Sequence, residues 1–419
     1  MAKVITTELQ HSGASAANIT LDSSKNVTCE NNLQLDGNVT VTGTLPADKL
    51  TGALPAISGA SLTGISSPLS HRNLAINGSM RVQQYRSAAL TANGTILDRF
   101  KHDKDQVGIS VTRSTIAANA GGPADEGHRY AWKGTNTSTT THDNRYFRIQ
   151  HNIEAQNLAC SGWKYNDTND NIVISFWMKT SLAGSYQFSL RTGDGTNQSF
   201  IHETPSISAN TWTKVTKVIP GHANITVDND NGVGLEFNMW ITVGSTFTQS
   251  DRTQNAWVAF DGDGQAKDEN VNWGNSSGAT FEFTGLQIEV GDAATSFEHV
   301  TYSEELARCQ RYYWTYFYEI GSEKTLMLAH NWHTNQIFGH INFPCRMRSS
   351  PSAVIANGTD YWKAYKTTPN TSSFDTMSLW NANENSAILE GMSPSVTAGE
   401  SVFCTGNNAS AFIAFNAEL

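Results

Sequence analysis

What most constrains this chain is a period of two: short stretches where apolar and polar residues alternate, each closed by Gly, Asn, Asp or Pro. Successive side chains on a strand point to opposite faces, so such stretches make half-buried strands and fit a helix poorly. Between Asn73 and about Val300 they recur as Ile172 to Lys179 (IVISFWMK), Tyr186 to Leu190, Thr211 to Val218, Gly234 to Val243, Ala256 to Phe260 and Thr280 to Val290. With turn residues between the strands and no helical segment, the pattern predicts an antiparallel sandwich, and about 230 residues suit a jelly roll. From about Thr315 to Leu419 the alternation returns in TLMLAHNW, QIFGHINF, SPSAVIA, MSLWN, SAILEGM and AFIAFNAEL.

Composition agrees with this reading. Only 16% of residues are charged and 10% are aromatic, which leaves little material for helices rich in Glu, Lys and Ala. The formal charge of −10 and a pI near 5.6 offer no basic face for phosphates, so neither nucleic acid nor an anionic membrane is an expected partner. Met1 to Gln10 does not read as a secretion signal, and no apolar run reaches 18 residues. Neither secretion nor membrane insertion is therefore expected. Cys29, Cys160, Cys309, Cys345 and Cys404 are odd in number, widely spaced and lack a CxxC pair, so they read as buried free thiols in a protein made in a reducing cytoplasm.

Near the start a six-residue repeat appears: NVTCEN from Asn26, NLQLDG from Asn32 and NVTVTG from Asn38. Leu21, Val27, Leu33, Val39 and Leu45 fall six apart, with Cys29, Leu35 and Val41 two residues behind. Each hexad reads as a short strand with two inward apolar groups, unable to bury them alone. Three chains supplying one hexad per face close a threefold prism, so a homotrimer is expected; a plain β-meander is the competing arrangement. LPADKLTG and LPAISGASLTG then form a thin stem that ends at Ser66-Ser67-Pro68. One helix is predicted, where Thr301 and Glu304 form a capping box before SEELARCQRYYW; it reads as a hinge-like spacer, with Glu304 and Glu305 as solvated charges.

The expected fold class is therefore all-β. An N-terminal attachment segment and hexad-repeat stem spans 1–70, a jelly-roll β-sandwich 71–300, a linker helix 301–315 and a distal C-terminal β-sandwich 316–419.

Three stretches resemble a widespread group of bacteriophage tail-fibre and tail-tip proteins. NLAINGSMRVQQ (Asn73 to Gln84) is similar to the opening strand of their sandwich module. FTGLQIEVGDAATSFEHVTYSEELARCQRYYW (Phe283 to Trp314) resembles the closing strand and following helix. FPCRMRSSPS (Phe343 to Ser352) and FNAEL (Phe415 to Leu419) resemble their C-terminal domain. The resemblance implies a carbohydrate-binding-module-like jelly roll, a smaller distal sandwich and a threefold assembly in the virion. It also implies that the N-terminus docks on a tail adaptor or nozzle protein.

Sugar-binding proteins stack pyranose rings on exposed aromatic rings and satisfy hydroxyls with amides and carboxylates. The densest candidate set is Trp332, Tyr361, Trp362, Tyr365 and Trp380, lying among Asn and Thr. Core or trimer-interface packing is the ordinary fate of any one such ring; as a set, one or two are expected at the surface.

Two acidic loops offer oxygen ligands for a structural calcium: DNDNG with Asp228 and Asp230, and DGDG with Asp261 and Asp263. Neither completes the twelve-position loop. From Asp261 the sixth position is Ala266 rather than Gly, which favours ordinary turn chemistry. His330, His333 and His340 flank Trp332, and strand alternation puts His330 and His333 on opposite faces, a poor start for a metal site on a threefold axis.

Catalytic signatures such as HExxH or a phosphate-cradling Gly-Lys-Ser/Thr loop do not occur. A glycosidase pair among Asp261, Asp263 and Glu236 is the residual enzymatic reading. The expectation is an adhesion protein of the virion tail, assembled in the host cytoplasm, without catalysis, that binds host cell-surface polysaccharide with avidity from three copies. A polysaccharide depolymerase and a purely structural adaptor or nozzle component are the two alternatives.

Overall fold

The computed structural model describes residues 8–9, 19–21, 27–29, 71–85, 89–269, 271–318, 324–366, 371–392 and 396–419. The chain divides into two compact units, Met1–Gly64 and Ile65–Leu419. In the first, Glu8–Leu9, Ile19–Leu21 and Val27–Cys29 form a three-stranded antiparallel sheet, with Leu21 opposite Val27. The hexads from Asn32 and Asn38 and the stem after them lie outside the described residues.

The second unit is nearly all β. Its first sandwich faces a seven-stranded sheet with a five-stranded one. The larger sheet runs in the order Trp257–Ala259, Gln198–Glu203, Gln187–Thr192, Val233–Val243, Tyr146–Glu154, Phe100–Lys104, Gly94–Leu97. The smaller runs Thr213–Pro220, Asn171–Thr180, Thr280–Val290, Tyr130–Asn136, Ile109–Thr115. All six strands read from the sequence are present, with ends shifted by no more than about two residues, as fraying of strand ends allows. Their alternation works as expected. Phe188 and Phe237 from one sheet meet Phe176 and Phe283 from the other, with centroids 5.1 to 6.0 Å apart in mostly tilted and edge-on pairs. Residues between them, such as Glu236 and Asn238, take the outer face.

The C-terminal sandwich pairs a three-stranded sheet, Tyr313–Tyr318, Phe412–Asn416 and Ser352–Ala356, with a second seven-stranded sheet. That sheet runs Thr371–Phe374, Trp362–Tyr365, Ser401–Gly406, Thr325–His333, Gln336–Asn342, Ser386–Met392, Thr376–Ala382. Trp362, Phe317, Leu389, Ile413 and Phe415 fill the space between the layers.

The helix Tyr302–Gln310 begins where the capping box predicts, with the Thr301 hydroxyl accepting from the Glu304 amide at 3.3 Å. Replacing Thr301 by alanine is expected to cost about 1 kcal/mol, read as a shift in the urea midpoint. The helix does not act as a hinge-like spacer, because its inner face is consumed by packing: Leu306, Cys309 and Tyr312 meet Ile76, Val82 and Leu419. Glu305 is not a solvated charge either. It is buried and accepts the Asn77 amide at 2.7 Å. The thiols divide as well: Cys309 and Cys404 are buried, but Cys160 is exposed, since it closes a short surface helix, Ala155–Ala159.

Around this helix the two sandwiches are welded. Arg99 pairs with Glu418 and lies 3.6 Å over the Tyr312 ring, Arg311 pairs with Glu154 at 2.8 Å, and Asn152 donates to the Leu419 carbonyl at 3.1 Å. Tyr85 stacks on Tyr313 at 3.8 Å. Gln84 donates to both Asp98 and the Tyr313 carbonyl, so Asp98 anchors the seam from within the first sandwich.

Burial pushes the Asp98 carboxyl up to about 7, with the bonds from Gln84 acting the other way. Because this lies above the ordinary value of 3.8, the carboxyl is harmless below pH about 4 and destabilises the fold progressively as pH rises toward 7. Between pH 5 and 8 this amounts to about 2 to 3 kcal/mol of lost unfolding free energy. Urea titrations are expected to show that slope in the wild type and a flatter one in Asp98→Asn; equal slopes would exclude Asp98 as its source.

Candidate functional site

The outer face of the C-terminal seven-stranded sheet carries the residues that sequence singled out. Along Thr325–His333, Met327, Ala329 and Asn331 turn inward, while Leu328, His330 and Trp332 face solvent. The partner strand then loses one residue of register. Asn331 opposes Ile337 but His333 opposes Gln336, so Trp332 is the extra residue of a β-bulge. Two strands further on the same thing happens: Leu379 opposes Leu389 and Asn381 opposes Ile388, which leaves Trp380 as the extra residue.

Both rings are in phase with the outer sets of their strands, and the bulges interrupt the ladder beside them. Trp332 is 69% exposed and Trp380 61%. They border a groove of about 480 Å³ with His333, Gln336, Phe338 and Ile388. Their strands are three spacings apart, about 14 Å. Phe338 lies between them, its ring edge-on to Trp380 at 5.2 Å. Polar groups sit alongside: the Gln336 amide donates to Glu390 at 3.1 Å, and Glu390 also accepts from Ser378. An apolar floor with amide and carboxylate groups beside it is complementary to the C–H face and hydroxyls of a sugar.

The other three aromatic candidates separate from this pair. Trp362 is fully buried and is corrected here from a surface ring to a core residue, its indole N–H donating to Asn357 at 3.0 Å. Alternation explains the outcome, since Trp362 and Ala364 face the core while Lys363 and Tyr365 face out. Tyr361 is half-buried against the same core. Tyr365 reaches the outer face at the far end of the sheet, 6.0 Å from Phe403.

The histidines are corrected too. His330 and His340 lie in the outer sets of their strands and the bulge at Trp332 brings His333 out as well, so all three are exposed. The acidic loops serve their own turns: Asp230 accepts from the Gly232 amide at 2.8 Å, and Asp261 from the Asp263 amide at 3.0 Å and from Gln249 at 2.9 Å. Asp228 uses its amide on Asp194 at 2.9 Å. Among the described residues no three His, Cys, Asp or Glu groups converge as a metal site.

A second, smaller cup lies on the outer face of the first sandwich. Tyr146, Arg148, Trp240, Phe247 and Gln265 line about 130 Å³, too little for a sugar ring. Arg148 lies 5.2 Å over Trp240 and bridges Asp103 at 3.2 Å and Glu236 at 3.7 Å. Glu236 also accepts from Gln150 and Asn238. Sequence reading passed over Arg148 and Trp240, although Glu236, Asn238, Trp240 and Thr242 are the outer set of an alternating strand.

The chain matches no protein-family model and no curated protein. Among solved structures it is similar to the enzymatically active domain of tailspike protein 4 of bacteriophage CBA120, with 11% identity over 52% of this chain and 21% of that one, at a TM-score of 0.29. It thus spans about a fifth of the length of that chain. It is also similar to the N-terminal tandem CBM22 domain of Xyn10C from Paenibacillus barcinonensis, with 10% identity over 80% of this chain and 98% of that one, at 0.24. A third is the CBM22-1-GH10 portion of a Clostridium thermocellum xylanase complexed with xylohexaose, with 10% identity over 51% and 29%, at 0.24. Scores this low transfer neither ligand nor activity to this chain.

Proposed function

We propose that this chain is a bacteriophage tail fibre that binds host cell-surface polysaccharide through the groove between Trp332 and Trp380. The observation that carries the reading is the pair of bulges. Two large rings stand at these bulges on the outer face of one sheet, with their apolar surface in water, where the fold gains nothing from them. Sugar rings are the ligand class for which open aromatic faces beside amide and carboxylate groups are complementary.

In this reading the protein is a homotrimer in the virion tail, assembled in the host cytoplasm and mounted through residues 1–70 on an adaptor or nozzle protein. It acts by adhesion rather than by cleavage. Three copies per fibre raise the effective concentration of a groove whose single-site affinity is modest.

The test is quenching of tryptophan fluorescence by purified host capsule or lipopolysaccharide, run beside an assay for new reducing ends and a measurement of oligomeric state. Saturable quenching without new reducing ends supports adhesion. New reducing ends make the chain a depolymerase, and alanine variants of the two tryptophans that dissociate the assembly make the face a contact between copies.

A further inference from the structure

A second cavity lies at the seam of the two sandwiches, where the end of the helix Tyr302–Gln310 meets the short helix Ala155–Ala159. It measures about 350 Å³, within the range of ligand pockets. Leu74, Ile76 and Tyr312 supply apolar surface; Asn157, Ser161, Arg308 and Arg311 supply polar groups. No carboxylate belongs to the described lining, in a chain whose net charge is −10.

The two arginines differ in one respect. Arg311 is closed by Glu154, which takes its Nε at 3.1 Å and an Nη at 2.8 Å, while its other Nη donates to the Arg346 carbonyl. Arg308 has a single hydrogen bond among the described residues, from Nη2 to the Asn73 carbonyl at 3.1 Å, and no carboxylate within ion-pair distance. Glu305, one turn back on the helix, accepts the Asn77 amide and feels the Arg308 charge without bonding to it. Arg308 therefore keeps unused N–H groups on the wall of a partly apolar cavity. That arrangement strengthens attraction for an anion over what water allows. Asn157 is exposed on the rim, and the Ser161 hydroxyl already donates to Leu158, so it faces a ligand as an acceptor.

We infer that this cleft binds a carboxylate-bearing sugar residue, a uronic acid of an acidic polysaccharide. The guanidinium of Arg308 takes the carboxylate, the part-exposed Leu74 surface takes the ring's C–H face, and Asn157 with Ser161 takes hydroxyls. The sugar class rests on the polysaccharide reading above, but the site shares no residue with the Trp332 and Trp380 groove.

The experiment titrates the full chain with sodium D-glucuronate, D-glucose and sodium phosphate at low ionic strength, by calorimetry or by saturation-transfer NMR for the sugars. Glucuronate is expected to saturate in the millimolar range and glucose to bind at least tenfold more weakly. Arg308→Gln is expected to lose at least tenfold in glucuronate affinity, and the exposed Asn157→Ala several-fold with the fold intact. Glucose binding as well as glucuronate, phosphate binding more tightly than either, or unchanged affinity in these variants would overturn the assignment. The Trp332→Ala/Trp380→Ala variant is expected to keep glucuronate binding. The groove and the cleft thus fail separately: polysaccharide binding lost with glucuronate retained strikes only one of them.

Discussion

Replacing Trp332 and Trp380 together by alanine is expected to lower the affinity of each chain for host polysaccharide on the order of a hundredfold, with little change in stability. Each ring offers an open face, and losing one stacking anchor at a binding centre typically costs about 1.4 kcal/mol or more, a factor of ten. Both side chains are bulge residues directed to solvent, so truncation leaves no internal cavity; each substitution is expected to move the unfolding free energy by about 0.5 kcal/mol or less. In the proposed trimer the loss compounds, because avidity multiplies per-site affinities. Virion adsorption to host cells is therefore expected to fall more steeply than binding of a monovalent oligosaccharide. Unchanged adsorption with both rings gone would end the proposal.

The second large effect belongs to a tryptophan that binds nothing external. Trp362→Ala is expected to destabilise the C-terminal sandwich by about 3 to 5 kcal/mol, the range for truncating a fully buried aromatic ring. Trp362 is fully buried, its ring lies 6.0 Å from that of Phe317, and its N–H holds Asn357. Asn357 in turn accepts the Met377 amide and donates to the Met377 carbonyl, so the substitution also loosens the anchor of the Trp380 strand. Thermal melts are expected to show a drop of several degrees, and Trp362→Phe a smaller one. A variant at this position that melts like the wild type would show that the ring lies outside the core.

These paired outcomes mark where sequence reading succeeds and where it stops. Alternation alone places Phe176, Phe188, Phe237 and Phe283 in the first core, because a period of two leaves a strand only two faces. Thr301 and Glu304 give the helix start without any tertiary information, since capping is a contact within one turn. The candidate residues Trp332, Trp362, Tyr365 and Trp380 lie on strands of one sheet. Choosing among them fails at Trp362, which differs from Trp332 and Trp380 in no local property of its sequence.

The chain's letters determined an all-β molecule with one capped helix, two runs of strands and an aromatic-rich distal sheet, because those properties depend on neighbours in sequence. Tertiary structure alone decided which rings reach water. A bulge arises from how two strands register against each other, and the extra residue at Asn331–His333 brings His333 out beside Trp332 where simple alternation would turn it inward. It alone also turned the helix into a weld and decided which acids close the seam's arginines, Glu154 for Arg311 and Glu418 for Arg99, partners more than a hundred positions away.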